Sequence, residues 1–95
     1  MYASVRKYAG SRGFVDALVE NESEVRRIIS GIDGFRAYYL IRSNDDAVSV
    51  SVYDDRSGAE ESNRAAAEWV RENVPDMQIS PPEITAGEVA IDISK

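Results

Sequence analysis

The stretch VSVSVYDDRSGAEESNRAAAEWVRENV, Val48–Val74, decides the fold, because a two-residue period gives way inside it to a helical one. Val48, Val50 and Val52 alternate with Ser49, Ser51 and Tyr53, the pattern of a strand with one strongly apolar face. Asp54-Asp55-Arg56 interrupts that pattern. Ser57-Gly58-Ala59-Glu60 then reads as a capping box, with Ser57 at the N-cap and Glu60 three residues on. At about 100° per residue, Ala59, Ser62, Asn63, Ala66, Trp69, Val70, Asn73 and Val74 share one side of the helix. Glu60, Glu61, Arg64, Glu68, Arg71 and Glu72 take the other.

Working outward, Met1–Tyr8 reads as a strand with Tyr2, Ser4, Arg6 and Tyr8 on one face and Ala3 and Val5 on the other. Gly10 and Gly13 flank a turn. Phe14, Leu18, Val25, Ile28, Ile29 and Ile32 recur at helical steps, which predicts a helix from about Phe14 to Ser30. Its polar middle, Glu20–Glu24, marks a break near Asn21, and Gly31 and Gly34 bracket its end. Phe35–Arg42 is strand-like in its aromatic and branched content, and Ser43-Asn44-Asp45-Asp46 is a hairpin turn. Pro75 stops the last helix, Pro81-Pro82 makes an extended connector, and Glu83–Ile93 forms a final strand with Val89, Ile91 and Ile93 on one face.

The order is β-α-β-β-α-β, an α+β ferredoxin-like arrangement with a four-stranded antiparallel sheet in one domain, residues 1–95. Right-handed crossovers place both helices on one side of the sheet. The aliphatic face, Val5, Val48, Val50, Val52, Val89, Ile91 and Ile93, is expected to meet those helices. Tyr2, Ser4, Arg6, Tyr8, Ser49, Ser51 and Tyr53 then fall on the opposite face. In the second strand, Phe35/Ala37/Tyr39/Ile41 and Arg36/Tyr38/Leu40 are equal alternatives for the helix-facing set. The ring- and hydroxyl-bearing face is too apolar for water, which predicts a twofold homodimer in which a second copy covers it and encloses a small cavity.

Ninety-five residues lie near the lower limit for a self-sufficient core, where oligomers are common. No apolar run approaches the ~20 residues that cross a bilayer, and the first residues lack a signal-peptide core, so a cytoplasmic location away from membranes is expected. The net charge of −6, with no basic stripe, argues against nucleic acid as a partner. The chain has no His and no Cys. Common zinc sites, thiol nucleophiles, Ser-His triads and His-ligated haem are thereby excluded. Asp45-Asp46 and Asp54-Asp55 belong to turns and lack the ligand spacing of a calcium loop, so no metal site is expected. Gly10 and Gly13 make no phosphate loop.

GFRAYYLI at Gly34–Ile41, the run Val48–Asn73 and PPEITAGEV at Pro81–Val89 resemble the dimeric α/β-barrel proteins of the antibiotic-biosynthesis-monooxygenase type, including small uncharacterised bacterial members. That resemblance implies a homodimer whose facing sheets form a barrel, with a cavity in each subunit between sheet and helices. It also implies no cofactor, since some members oxygenate electron-rich aromatic substrates without metal or flavin. The haem-degrading branch needs a His, which this chain lacks. Asn63 and Trp69 match the Asn and Trp of the family's cavity, although six residues put them about 120° apart on a helix.

The candidate cavity residues are Trp69, Asn63, Tyr38, Tyr53, Tyr8, Arg6 and Arg36. Each has a plainer reading. Trp69 serves as a core anchor, Asn63 as a solvated amide, and the tyrosines as cross-strand or interface packing. Arg6 and Arg36 would pair with Glu88 or Asp92. No catalytic residue is assigned. The functional expectation is a protein that binds a small aromatic or apolar metabolite, as a cofactor-independent monooxygenase or as a non-catalytic ligand-sensing or accessory module. A structural dimer with a collapsed barrel is the third option, separated from the other two by a pocket on the order of 300 Å³.

Overall fold

The computed structural model describes residues 1–10 and 13–95. Its elements are β1 (Tyr2–Tyr8), α1 (Phe14–Glu20), α2 (Glu22–Ser30), β2 (Phe35–Ser43), β3 (Asp46–Tyr53), α3 (Arg56–Asn73) and β4 (Glu83–Glu88), with a short 3-10 turn at Pro75–Met77. The four strands form one sheet in the order β2-β3-β1-β4, every neighbouring pair antiparallel. The first helical segment breaks at Asn21, whose side-chain amide donates to the carbonyl of Ala17 at 2.8 Å. The turn expected between Gly10 and Gly13 falls on residues 11–12 and lies outside the described residues. Among the described residues, no helix is long and apolar enough to cross a membrane.

The helices cover the opposite sheet face from the one expected. Cross-strand partners share a face, and the register pairs Tyr2 with Tyr53, Ser4 with Ser51, Arg6 with Ser49 and Tyr8 with Ala47. Of these, Ser4, Arg6, Tyr8, Ala47, Ser49, Ser51 and Tyr53 are buried beneath the helices, while Val5, Val48, Val50 and Val52 lie half-exposed on the far side. The reason is steric and polar at once. Small residues along β3 let α3 approach through Ala59 and Ser62, the tyrosine rings supply apolar area, and the hydroxyls find partners within the face. One apolar cluster joins Tyr8, Phe14, Val15, Leu18, Ala47 and Trp69, and a second joins Ile29, Tyr53 and Ala59.

The second strand matches neither alternative intact. An irregularity between Phe35 and Ala37 shifts the register there, so Phe35, Tyr38 and Leu40 turn toward the helices. Tyr39 and Ile41 stay on the open face, 61% and 46% exposed. Helix α3 also begins earlier than the capping box implies. Asp55, not Ser57, is the N-cap: its side chain accepts from the amide of Gly58 at 3.3 Å and from the Ser57 hydroxyl at 2.7 Å, while Glu60 accepts from Arg56. Finally, β4 stops at Glu88 rather than Ile93. The Val89 amide makes one more bond, to the carbonyl of Met1 at 2.9 Å, and there the neighbouring strand runs out. Ile91 and Ile93 are left 79% and 92% exposed.

Gly58 marks the tightest approach of α3 to the sheet. A Cβ there would stand 2.8 Å from Cβ, Cγ and Cδ1 of Tyr53. Helix propensity alone favours Ala over Gly by about 1 kcal/mol. Gly58→Ala is nonetheless expected to destabilise the chain by about 1–3 kcal/mol through overpacking, seen as a lower urea midpoint at unchanged slope.

Candidate functional site

The register that buries β1 leaves Arg6 only 2% exposed. Its guanidinium is held on three sides. Nε donates to Ser49 Oγ at 3.0 Å and Nη2 to Ser51 Oγ at 2.9 Å, both on β3. Nη1 donates to Ser62 Oγ at 3.2 Å and Asn63 Oδ1 at 2.7 Å, both on α3. Ser4 also donates to Asn63 Oδ1, at 2.7 Å, and the Ser62 hydroxyl donates in turn to the Ala59 carbonyl at 2.7 Å. The expected pairing of Arg6 with Glu88 or Asp92 is absent: among the described residues its partners are all neutral. A buried charge normally carries a counter-ion, so this cage is unusual.

In front of Arg6 lies a cavity of about 30 Å³, walled by Tyr8, Tyr38, Ser49 and Trp69 and by apolar side chains of α1 and α2. Trp69 is buried, and its Nε1 is a donor without a partner among the described residues. The cavity is far below the 300 Å³ mark. It adjoins, however, a groove of about 660 Å³ between the α1–α2 segment and β2, lined by Val15, Val19, Phe35 and Leu40, with Glu22, Arg26 and Arg42 at its rim. Leu18, Val25, Ile29 and Tyr38 wall both spaces. The polar side chains of the cavity and the apolar groove thus lie on either side of those four shared residues.

Four of the seven candidates, Arg6, Tyr8, Tyr38 and Trp69, border this cavity. Asn63 stands behind Arg6 and reaches the site through it, which is how two residues 120° apart on α3 serve one place. Tyr53 is fully buried away from the cavity, its hydroxyl donating to the Ile29 carbonyl at 2.8 Å and its ring meeting Phe35 edge-on. Arg36 departs from expectation altogether, lying exposed and paired with Asp54. The β2 irregularity turns it away from the helices. Ser49, Ser51 and Ser62 were not among the candidates, yet they hold the guanidinium. Their signal was an arginine in register with serines and no acid. The turn aspartates have local roles: Asp46 accepts from the Gly10 amide and Asp55 caps α3. Among the described residues, no group of three or more His, Cys, Asp or Glu is placed to hold a metal.

Desolvation raises the phenols of Tyr8 and Tyr38 above their ordinary value, and the Arg6 guanidinium, which hydrogen-bonds both, only partly offsets it. Burial pushes Tyr53 up to about 12. The folded chain thus holds these protons more tightly than the unfolded chain, whose phenols ionise near 10.0. Stability from this source is complete below pH 10 and declines as pH rises from there toward 12. Urea midpoints are expected to be flat up to that window and to fall within it. Tyr53→Phe should delay the fall while losing the bond to Ile29.

No protein-family model matches the chain, and no curated protein matches its sequence. Solved structures do match. A protein of unknown function from Nitrosomonas europaea aligns with a TM-score of 0.73 at 16% identity, over 99% of this chain and 93% of its own. The monooxygenase ActVA-Orf6 of Streptomyces coelicolor, solved with Nanaomycin D, aligns at 0.68 and 16%, over 99% and 91%. SnoaB, a cofactor-independent oxygenase from Streptomyces nogalater, aligns at 0.63 and 13%, over 99% and 96%. Identities this low establish architecture and leave activity to the site. The chain has the ferredoxin-like α+β fold of the antibiotic biosynthesis monooxygenases.

Proposed function

We propose that this chain is a homodimer that binds a small aromatic or apolar metabolite between sheet and helices and oxygenates it without a cofactor. One observation carries the proposal: a buried guanidinium without a counter-ion and a buried indole whose N–H has no partner among the described residues belong to side chains that line one cavity, and that cavity adjoins an apolar groove. The charge of the first and the N–H of the second suit an oxygen atom of a ligand whose rings lie against Leu18, Val25 and Tyr38. Held there as an enolate or phenolate, the ligand would itself reduce dioxygen in a dry site. Converting a CH₂ group to a carbonyl while one oxygen atom leaves as water balances four electrons and needs no external reductant. The named activities of the fold neighbours support this chemistry.

A second function, ligand binding without turnover, is favoured by the cavity walls, whose polar members are donors and phenols. Oxygen consumption with a panel of polyphenols separates the two. Turnover by the native chain is expected, with a drop of about tenfold or more in Trp69→Phe, which keeps a ring but removes the donor. Trp69 emission that responds to the same compounds without oxygen uptake would leave binding alone.

The face available to a second copy is the reverse of the one expected. Ala3, Val5, Val48, Val50, Val52, Ala37, Tyr39 and Ile41 form an aliphatic surface on the side away from the helices. Val89, Ile91 and Ile93 follow on from β4 in phase with it. Such a surface is self-complementary about a twofold axis. Val50→Lys is expected to give a folded monomer by sedimentation and circular dichroism. A native chain that sediments as a monomer at micromolar concentration would remove the dimer from the proposal.

A further inference from the structure

We infer that the site takes its ligand as a preformed anion: it can hold a negative charge, but among the described residues that line the cavity none could generate one. The ligand class is therefore an oxyanion on an apolar body, ionised before it enters. This rests on the Arg6 cavity being the ligand site and adds where the charge comes from.

The charged and titratable groups facing the cavity are few, and at the rim of the adjoining groove they are Glu22, Arg26 and Arg42. From β1 come Arg6 and Tyr8, and from β2 comes Tyr38; β3 presents Ser49, and the α1, α2 and α3 side chains that line the cavity carry no titratable group. Behind Arg6 stand only Ser51, Ser62 and Asn63. The nearest acids on α3, Glu61 and Glu68, are turned outward and paired with Arg64. A general base must reach the proton it removes and be unprotonated at working pH. Tyr8 and Tyr38, their phenols raised by burial, remain protonated there and serve as donors. The guanidinium keeps its charge. What the site offers is one uncompensated positive charge, the unpartnered Trp69 Nε1 and phenol hydroxyls, all of which favour an anionic oxygen. The dimensions agree. About 30 Å³ accepts an oxygen head in place of one or two waters, so the apolar body must extend past Leu18 and Tyr38 into the groove.

The test is calorimetric titration of the full chain, from mildly acidic to mildly alkaline pH, with chlorinated phenols of similar size and graded acidity. Their methyl ethers and benzoate serve as further arms. For each phenol, affinity is expected to rise by about tenfold per pH unit until that phenol ionises, then level off. The midpoint should move with the ligand. Benzoate, ionised throughout, should show a flat profile, and the methyl ethers should bind weakly at every pH. Asn63→Asp, which places a carboxylate where Arg6 now meets an amide oxygen, should weaken phenolate binding by about tenfold or more and spare the ethers. One midpoint shared by all phenols, or ethers that bind as tightly as phenolates, would overturn the inference and leave the pocket standing. If no compound in the set produces heat or changes the emission of Trp69, the chain's single tryptophan, the pocket itself fails and the inference with it. The native series decides this whether or not the variant folds.

Discussion

The guanidinium of Arg6, sealed beneath the helices with only neutral partners among the described residues, organises the sheet, the third helix and the candidate site. Removing an ion of this kind from water costs several kcal/mol even after relaxation. Hydrogen bonds to a charged group return about 1.5–3 kcal/mol each, so the four bonds from Ser49, Ser51, Ser62 and Asn63 can offset it only together. That condition fixes the register of β1 on β3 and the height of α3 above them. It also explains which sheet face is inside. With the valines under the helices, Arg6 would be solvated and easily satisfied, but Tyr8, Tyr53 and Tyr38 would lose the burial that supplies most of the core's ring area.

Element order was legible because the period changes abruptly at Asp54 and the glycines and prolines stand where chains turn. The inner face was not. Strand alternation separates two faces without ranking them, and a rule that scores valine above tyrosine and serine chooses wrongly when rings and small hydroxyls make the better surface for a helix. The irregularity at Phe35/Ala37 leaves no trace in the side-chain pattern, which is why Arg36 was grouped with Tyr38 although they point to different environments. The extent of β4 depends on a partner, and β1 starts only at Tyr2. No property of residues 89–93 themselves could reveal that.

The site divides along the same line. Trp69, Asn63, Arg6, Tyr8 and Tyr38 could be singled out as aromatic or polar groups on regular elements, and the fold gathers them. Tyr53 could not be told from Tyr38, because both are strand tyrosines. The difference lies in Gly58, which admits the Tyr53 ring beneath α3, where its hydroxyl donates to the Ile29 carbonyl. The serines were missed because a serine between valines reads as a solvent-facing position. Its hydroxyl becomes structural only when an arginine stands opposite.

A neutral cage does something that an ion pair would not. Had Glu88 or Asp92 met Arg6, the charge would be held but also cancelled, and a ligand would have to compete with a carboxylate. Serine hydroxyls and one amide oxygen orient the guanidinium without cancelling its charge, and Arg6 lines the cavity, where low polarity strengthens electrostatic interactions. Asn63 Oδ1 accepts from both Ser4 and Arg6, so the amide is pinned and the fork cannot swing. The elements that close this space from outside are two short helices. Helix α1 has seven residues, begins at a left-handed Gly13 without a side-chain cap, and meets α2 at the Asn21 break. It is held to the sheet by the edge-on contact of Phe14 with Tyr8, ring centres 4.8 Å apart, by the burial of Val15 and Leu18, and by the pair of Asp16 with Arg42 on β2 at 2.8 Å. The hydrogen bonds that hold Arg6 come from β3 and α3 rather than from α1 or α2, so the cage is fixed independently of the segment that walls the cavity from outside.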